Sequence, residues 1–178
     1  MNCFETEFTL PVPRPRPRVE GYFRVIGDMA ELDRFKEVFT PAQSELYKEW
    51  LVQYQDRMLA FISADRLVSW AWFTTRREMY YEAAIQAEIP IPPEASFHFD
   101  AHTVEAYQRK GIYTASFYEY PSALNKFGKK KLIFLVRSRD KIPMANANKF
   151  HFRRVKKYTL LNLGLMKIKF SRRPLRSR

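Results

Sequence analysis

Apolar residues along this chain occur in short runs of strand length that alternate with segments of helical periodicity. Two aromatic and β-branched runs at 58–62 and 67–73, separated by a polar stretch, predict a β-hairpin. Two helices are predicted before this hairpin. The other strands are predicted at 22–26, 96–104 and 132–136, and later helices at 113–127 and 142–150. The resulting order, βααβββαβα followed by more strand, predicts a mixed α and β fold.

The helix before the hairpin carries a strong start signal. Thr40 is a favourable N-cap residue, Pro41 fits the first helical position, and Gln43 can complete a capping box. Its apolar face is predicted to comprise Leu46, Trp50, Tyr54 and Met58. The proline-rich segment 76–95 is instead expected to be a long connection that covers one end of the sheet.

The two ends of the chain differ in composition from the part between them. Residues 11–18 alternate proline with mostly arginine, so residues 1–18 are expected to form an extended arm outside the domain. Residues 19–170 suffice for a single domain with a sizeable core, and residues 171–178 are expected to be a basic tail. The single cysteine, Cys3, is expected to be an incidental thiol.

The net charge of +12 is concentrated near one end. Residues 141–178 contain 12 Lys and Arg and no acid, so they alone carry +12, while the preceding 140 residues are neutral. Such a segment favours anionic partners: nucleic acid, an anionic membrane surface, an anionic acceptor or the phosphates of a cofactor. A solvated basic face is an equally good interpretation, so nucleic-acid binding stays open.

Targeting signals are not evident. No apolar run is long enough to span a bilayer, and the first residues lack the basic-then-apolar order of a signal peptide. We therefore expect a cytoplasmic protein with no membrane span. The oligomeric state is left open, although edge strands near the C-terminus could pair between subunits.

The segment 104–114 joins a predicted strand directly to a predicted helix. Successive backbone N–H groups in a tight turn, with the positive end of the following helix, form a concave site for an anion such as a diphosphate. Gly111 lets the backbone approach closely, and Arg109 and Lys110 add charge at the rim. An ordinary strand-to-helix connection can have the same composition, so the turn alone does not establish a phosphate-binding site.

In its context the turn resembles the signature Gln/Arg-x-x-Gly-x-Gly/Ala of the GNAT superfamily of N-acetyltransferases, which wraps the pyrophosphate of acetyl-CoA. Gln108 and Gly111 match this pattern, and Tyr113 stands where Gly or Ala is usual. The segment 143–152 is similar to the second motif of the family, a short helix ending in Lys-x-Gly-Phe, with His151 in place of the glycine.

Two residues that the second motif often carries are missing. Its asparagine would fall at Asp140 or Lys141, and its tyrosine, a common general acid, would fall near Ala147. By position Tyr118 could substitute for that acid, although core packing is the stronger interpretation of this side chain. Loss of catalysis in this chain is therefore left open as an alternative.

The resemblance implies an α/β (α+β) fold with a central mixed, mostly antiparallel β-sheet, splayed around an acyl-CoA cleft and flanked by helices. It implies an N-acyltransferase that uses acetyl-CoA or another acyl-CoA, without a metal, and transfers the acyl group directly to an amine. The implied cofactor-binding residues are His102, Val104, Gln108, Arg109, Lys110, Gly111, Ile112, Tyr113 and Thr114. Backbone groups at His102 and Val104 would hold the pantetheine and the thioester carbonyl.

The strand at 96–104 carries the candidate catalytic residues. Alternation places His98, Asp100 and His102 on one face of this strand. His98 lies where several family members place a general base, and Asp100 is the second candidate. A metal site at these three residues is not expected, because a fourth ligand is missing.

A different class of function stays open beside the enzyme. In that alternative the chain is a catalytically inactive binding module of the same fold, whose basic C-terminal region binds nucleic acid or an acidic partner. Arg153, Arg154, Lys156 and Lys157 are interleaved with aromatic residues there, as in proteins that bind single strands. The sequence identifies neither the amine acceptor nor the acyl chain length.

Overall fold

The computed structural model of the chain describes residues 1–7, 15–150, 152–163 and 166–172. Its strands are β1 (Asn2–Glu7), β2 (Tyr22–Ile26), β3 (Arg57–Ser63), β4 (Arg66–Phe73), β5 (Met79–Glu82), β6 (Ala87–Pro90), β7 (Ala95–Thr103), β8 (Lys131–Val136), β9 (Arg153–Leu163) and β10 (Met166–Arg172). Its α-helices are α1 (Met29–Asp33), α2 (Pro41–Val52), α3 (Ile112–Asn125) and α4 (Lys141–Lys149), with 3-10 turns at Lys36–Val38 and Glu105–Tyr107.

Eight strands form one sheet in the order β10-β9-β1-β8-β7-β4-β3-β2, and β5 pairs with β6 in a separate hairpin. Neighbouring strands of the large sheet are antiparallel except β7 and β8, which are parallel. The parallel pairing ends at His98 opposite Phe134, whereas β7 continues to Thr103. The sheet therefore opens between these two strands, and the predicted mixed, splayed sheet is confirmed.

Each face of the large sheet is covered by its own apolar layer. One face, here called the α2 side, packs against the first two helices and the small hairpin, with Tyr47 and Ile89 in its core. The other, here called the α3 side, packs against α3 and α4 through Phe117 and Ala147. Most of the central strands are buried on both faces, so their sequences are continuously apolar rather than alternating.

Strand β1 contradicts the prediction that residues 1–18 form an arm outside the domain. It lies between β8 and β9 and pairs with both, and Phe4 stacks on Phe134 with the ring centroids 5.7 Å apart. Strand β1 lies inside the sheet because β8 and β9, which are distant in sequence, each have backbone N–H and C=O groups that need hydrogen-bond partners on the side that faces β1. Burial also raises the pKa of Cys3 to about 12, which leaves this thiol unreactive.

Helix α2 confirms its start signal and corrects its predicted face. The capping box is present: the backbone N–H of Gln43 donates to Thr40 Oγ1 at 3.3 Å, and the backbone N–H of Thr40 donates to Gln43 Oε1 at 3.0 Å. The helix ends at Val52 and buries Tyr47 and Leu51, whereas Leu46 is 40% exposed. The predicted stripe was wrong because steps of four residues drift by about 40° each around a helix of 3.6 residues per turn.

Two other segments also differ from expectation. The connection at 76–95 contains the β5–β6 hairpin and is therefore not irregular throughout. The expected tail at 171–178 begins with the last two residues of β10, and 173–178 lie outside the described residues. Residues 8–14 of the expected arm and His151 of the second motif also lie outside them.

Candidate active site

The opening in the sheet borders a cavity of about 450 Å³. Its walls are Ala101, His102 and Thr103 at the end of β7, residues 107–109 and 111–114 of the turn and of α3, and Ile142 and Pro143 of α4. All the residues predicted to bind the cofactor line this cavity except Val104 and Lys110. The structure thus gathers the predicted turn, the strand end and the second motif around one space.

The turn before α3 is shaped by two left-handed residues. Arg109 has a φ of 59° and Gly111, the N-cap of α3, has a φ of 82°. At Gly111 the requirement for glycine comes from this conformation, since an added Cβ would meet only the Cα of Pro17, at 4.0 Å. Among the described residues no side chain caps α3, and the first amides of a helix have no partner within it. These amides border the cavity as ready donors to an anion.

The polar side chains of the turn fasten it to β7 and place positive charge beside the cavity. Gln108 Nε2 donates to the carbonyl of Thr103 at 3.1 Å, which fastens the turn to the end of β7. Arg109 is exposed, and the Lys110 ammonium lies 5.0 Å from the ring centre of Tyr107. The rim of the cavity therefore carries two positive charges.

The first turn of α3 is anchored on two sides. The ring of Tyr113 packs edge-on against Phe117 at 5.2 Å, and burial raises its pKa. The ring of Tyr113 therefore packs toward the core while the residue lines the cavity. A bulky residue at this position is thus compatible with an accessible turn backbone. Thr114 Oγ1 donates to Asn146 Oδ1 at 3.2 Å, which ties α3 to α4.

Backbone alternation along β7 decides which amides face the opening. The amide of Val104 donates to Val68 in β4, and His102 pairs with Trp70 of the same strand. Alternate residues of a strand direct their backbone groups to opposite neighbours. The amide of Thr103, between these two residues, therefore faces away from β4 and toward the opening, whereas the amides of His102 and Val104 are directed at β4.

The predicted face of β7 is broken by a β-bulge. Pairing with β4 passes from Phe99 opposite Trp72 to His102 opposite Trp70, so two residues of β7 oppose one residue of β4. The first of them, Asp100, has a φ of 46°. The bulge shifts the alternation by one residue, and the prediction that His98, Asp100 and His102 share a face is wrong.

His98 lies on the α3 side. Its Nδ1 is 2.7 Å from the hydroxyl oxygen of Tyr120, and aromatic rings surround it. Burial lowers the pKa of His98 to about 4, so its imidazole is neutral at physiological pH. His98 does not line the cavity.

Asp100 lies on the α2 side and is exposed. The Tyr47 hydroxyl donates to Asp100 Oδ2 at 2.6 Å and accepts from Trp70 Nε1 at 3.0 Å. Burial, and next the hydrogen bond to Asp100, raise the pKa of Tyr47, which keeps this hydroxyl protonated as a donor. The ring of His102 lies against that of Trp70, with centroids 4.5 Å apart. The carboxylate is therefore fixed in position but open to solvent.

Sequence reasoning missed Tyr47 and Trp70 as parts of this arrangement. The only signal for Tyr47 was its helix, and the predicted stripe fell one position away from it. Tyr118, the alternative acid, packs edge-on against Phe150 at 5.4 Å, and its buried hydroxyl has no partner among the described residues. It does not line the cavity, and Ala147 is fully buried.

The described residues were predicted to hold no metal, and their helices bear on whether the chain could cross a membrane. No group of three or more His, Cys, Asp or Glu side chains there could hold a metal ion. In the same part of the chain, every helix is too short or too polar to cross a bilayer.

Comparison by sequence finds no matching family model and no significantly similar curated protein. Comparison by structure finds many similar chains. A predicted acetyltransferase from Clostridium acetobutylicum, crystallised with acetyl-CoA, is 11% identical with a TM-score of 0.53, over 81% of this chain and 97% of that one. An aminoglycoside N-acetyltransferase crystallised with CoA is 11% identical with a TM-score of 0.52, over 74% and 91%.

A third similar structure is an aminoglycoside acetyltransferase from an uncultured soil metagenomic sample, in complex with sisomicin. It is 11% identical with a TM-score of 0.51, over 73% of this chain and 86% of that one. At such identities the likeness concerns the fold. The chain therefore has the fold of the GNAT acetyltransferases, as its turn motif predicted.

Proposed function

We propose that this chain is an N-acyltransferase that transfers an acyl group, with acetyl the first candidate, from acyl-CoA to an amine. One observation carries the proposal: the cavity where β7 parts from β8 is bordered by the amide-rich turn at the start of α3. Two structures of the same fold were crystallised with CoA or acetyl-CoA. An acyl-CoA substrate also suits the cytoplasmic location expected from the sequence.

The residues around the cavity suit the parts of an acyl-CoA. The amides at the start of α3 and the positive end of the helix would hold the diphosphate, with Arg109 and Lys110 supplying rim charge. Backbone N–H groups at this end of β7, with that of Thr103 the first candidate, would donate to the pantetheine and to the thioester carbonyl. Such fixed donors stabilise the negative charge that develops on this oxygen during attack.

For the acceptor we propose the α2 side of the opening. Asp100 immediately precedes the cavity-lining end of β7 but faces the opposite side of the sheet, where it is exposed. Its carboxylate would attract the ammonium form of the acceptor and accept the proton released before attack. Tyr47 would hold this carboxylate in place. His98 would act as a neutral part of the α3-side core, remote from the reacting atoms.

The first experiment is a calorimetric titration of the purified chain with acetyl-CoA, in the wild type and in Gly111→Trp. We expect micromolar binding by the wild type and its loss in the variant, because Gly111 lines the cavity and an indole there would crowd the turn against Pro17 of the arm. Gly128→Trp is the matched control, since Gly128 also has a positive φ, of 68°, and has open space around it.

The two glycine variants separate backbone strain from blocked binding. Both place a side chain in a left-handed conformation, so both should lose a similar, small amount of stability. Only Gly111→Trp should lose the cofactor. An absence of heat with acetyl-CoA, succinyl-CoA and CoA in the wild type would refute the proposed function.

A further inference from the structure

The described part of the proline- and arginine-rich arm, residues 15–18, lies against the cofactor turn. The amide of Arg18 donates to the carbonyl of Lys110 at 2.8 Å. Pro17 is the nearest neighbour of Gly111 at the point where a Cβ would stand. The arm thus contacts the two residues at which the turn passes into α3.

The residues that follow fix this position of the arm. Val19 packs on a small apolar cluster that includes Ile112, the first residue of α3. A Cβ on Gly21 would lie 2.4 Å from the carbonyl oxygen of Ile62, so only glycine permits this close approach to β3. The arm is therefore fastened to the domain body just beyond its arginines.

Side-chain exposure alternates along residues 15–20. Pro15, Pro17 and Val19 are partly buried, whereas Arg16, Arg18 and Glu20 are exposed. Proline restricts the backbone to extended conformations and lacks an N–H group, so this pattern is locally stiff. Arg16 and Arg18 thus leave a stiff backbone beside the turn with exposed side chains.

The contact between arm and turn leaves the anion-binding groups of the turn available. Arg18 bonds to a carbonyl oxygen of the turn, and a carbonyl cannot bind phosphate. The unpartnered donors are the N–H groups at the start of α3, which the arm does not use. The arm and a phosphate ligand can therefore occupy the turn together.

We infer that Arg16 and Arg18 bind phosphate groups of the acyl-CoA and so extend the cofactor site beyond the turn. The inference rests on the proposed function. Acyl-CoA carries a diphosphate and a 3′-phosphate, more negative charge than Arg109 and Lys110 neutralise. A guanidinium forms bidentate, charge-assisted hydrogen bonds with phosphate. Glu20 and Glu105 are exposed acids close in sequence to these cations, and Asp140 acts on the cavity-lining Tyr113. Against the four cations Arg16, Arg18, Arg109 and Lys110, these three acids leave a net positive charge.

The test is the affinity of the full chain for CoA and for dephospho-CoA, which lacks the 3′-phosphate, measured by calorimetry. Arg16→Ala/Arg18→Ala should weaken CoA binding on the order of tenfold, as the loss of two exposed ion pairs permits. The double lysine variant should recover part of this loss. A loss seen with CoA alone assigns the arginines to the 3′-phosphate, and an equal loss with dephospho-CoA assigns them to the diphosphate.

The control is Arg34→Ala/Arg76→Ala, which removes two exposed arginines that do not line the cavity. It should bind CoA as the wild type does. Thermal melting should be the same in both double variants, because the side chains removed are exposed. If the wild type binds CoA and the arm variant binds it within twofold of the wild type, the inference is overturned and the proposed function stands. If the wild type binds no CoA, the proposed function is overturned as well.

Discussion

Two residues of β7, His98 and Asp100, each contact a tyrosine hydroxyl at almost the same distance, 2.7 and 2.6 Å. The first pair, with Tyr120, is buried in the α3-side core, where burial holds the imidazole neutral. The second pair, with Tyr47, lies on the α2 side with its carboxylate exposed. The β-bulge separates them, and of the two groups only the Asp100 carboxylate is exposed to solvent.

The largest effect that would test this contrast is expected from Asp100→Asn. The amide keeps the shape of the side chain but cannot accept a proton, so the turnover rate should fall by about 10²- to 10⁴-fold. Affinity for acetyl-CoA should stay within twofold. Steady-state kinetics with an acceptor found by screening amines, together with calorimetry, would measure both.

Asp65→Asn is the control for that substitution. Asp65 is also exposed and also has a positive φ, of 60°, but it lies in the β3–β4 turn. Its variant should keep full activity. Retention of more than half of the turnover rate by Asp100→Asn would remove Asp100 from the mechanism.

His98→Ala should act on stability instead. Loss of the buried ring leaves a cavity and an unpaired Tyr120 hydroxyl, so the free energy of unfolding should fall by about 3 kcal/mol at pH 7. Turnover per folded molecule should change by only a few fold. Urea denaturation monitored by circular dichroism measures the first quantity, and the kinetic assay measures the second.

The stability difference between the wild type and His98→Ala should depend on pH. The folded state lowers the pKa of His98 from 6.5 to about 4, so this group favours folding above pH 6.5 and loses that contribution as pH falls toward 4. The wild type should lose up to about 3 kcal/mol from this source, and His98→Ala should not. The stability gap between them should therefore narrow on acidification, and a constant gap would contradict a neutral, buried His98.

The smallest effects are expected from Tyr47→Phe and Tyr120→Phe. Each removes one hydroxyl and should cost about 1 kcal/mol of stability. Only Tyr47→Phe should also lower turnover, by a few fold, because it frees the Asp100 carboxylate to move. Equal turnover in the two variants would mean that fixing Asp100 does not matter for catalysis.

Features with local causes were predictable from the sequence. The capping box of α2 depends on Thr40 and Gln43, three residues apart, and the turn at 104–114 contains its own glycine and cations. The strand, turn and helix order around that turn sufficed to predict the fold. These features depend on short-range hydrogen bonds and on backbone preference, which composition and spacing reveal directly.

Features with distant causes were not predictable. The pairing of β1 depends on two strands more than 100 residues away, and the contact of Arg18 with Lys110 also joins two segments that are distant in sequence. The bulge at Asp100 changes the facing of β7 without any glycine or proline to mark it. One inserted residue moves every later side chain of a strand to the other side of the sheet. The sequence therefore indicated which residues of β7 matter but not on which side of the sheet each one lies.

The place of β1 in the sheet has a consequence for the order of folding. Residues of β1 pair with residues of β9 that lie about 150 positions later in the chain. Contacts so distant in sequence carry a high loop-closure entropy and form late. During synthesis β1 can therefore take its place in the sheet only after both β8 and β9 have been made.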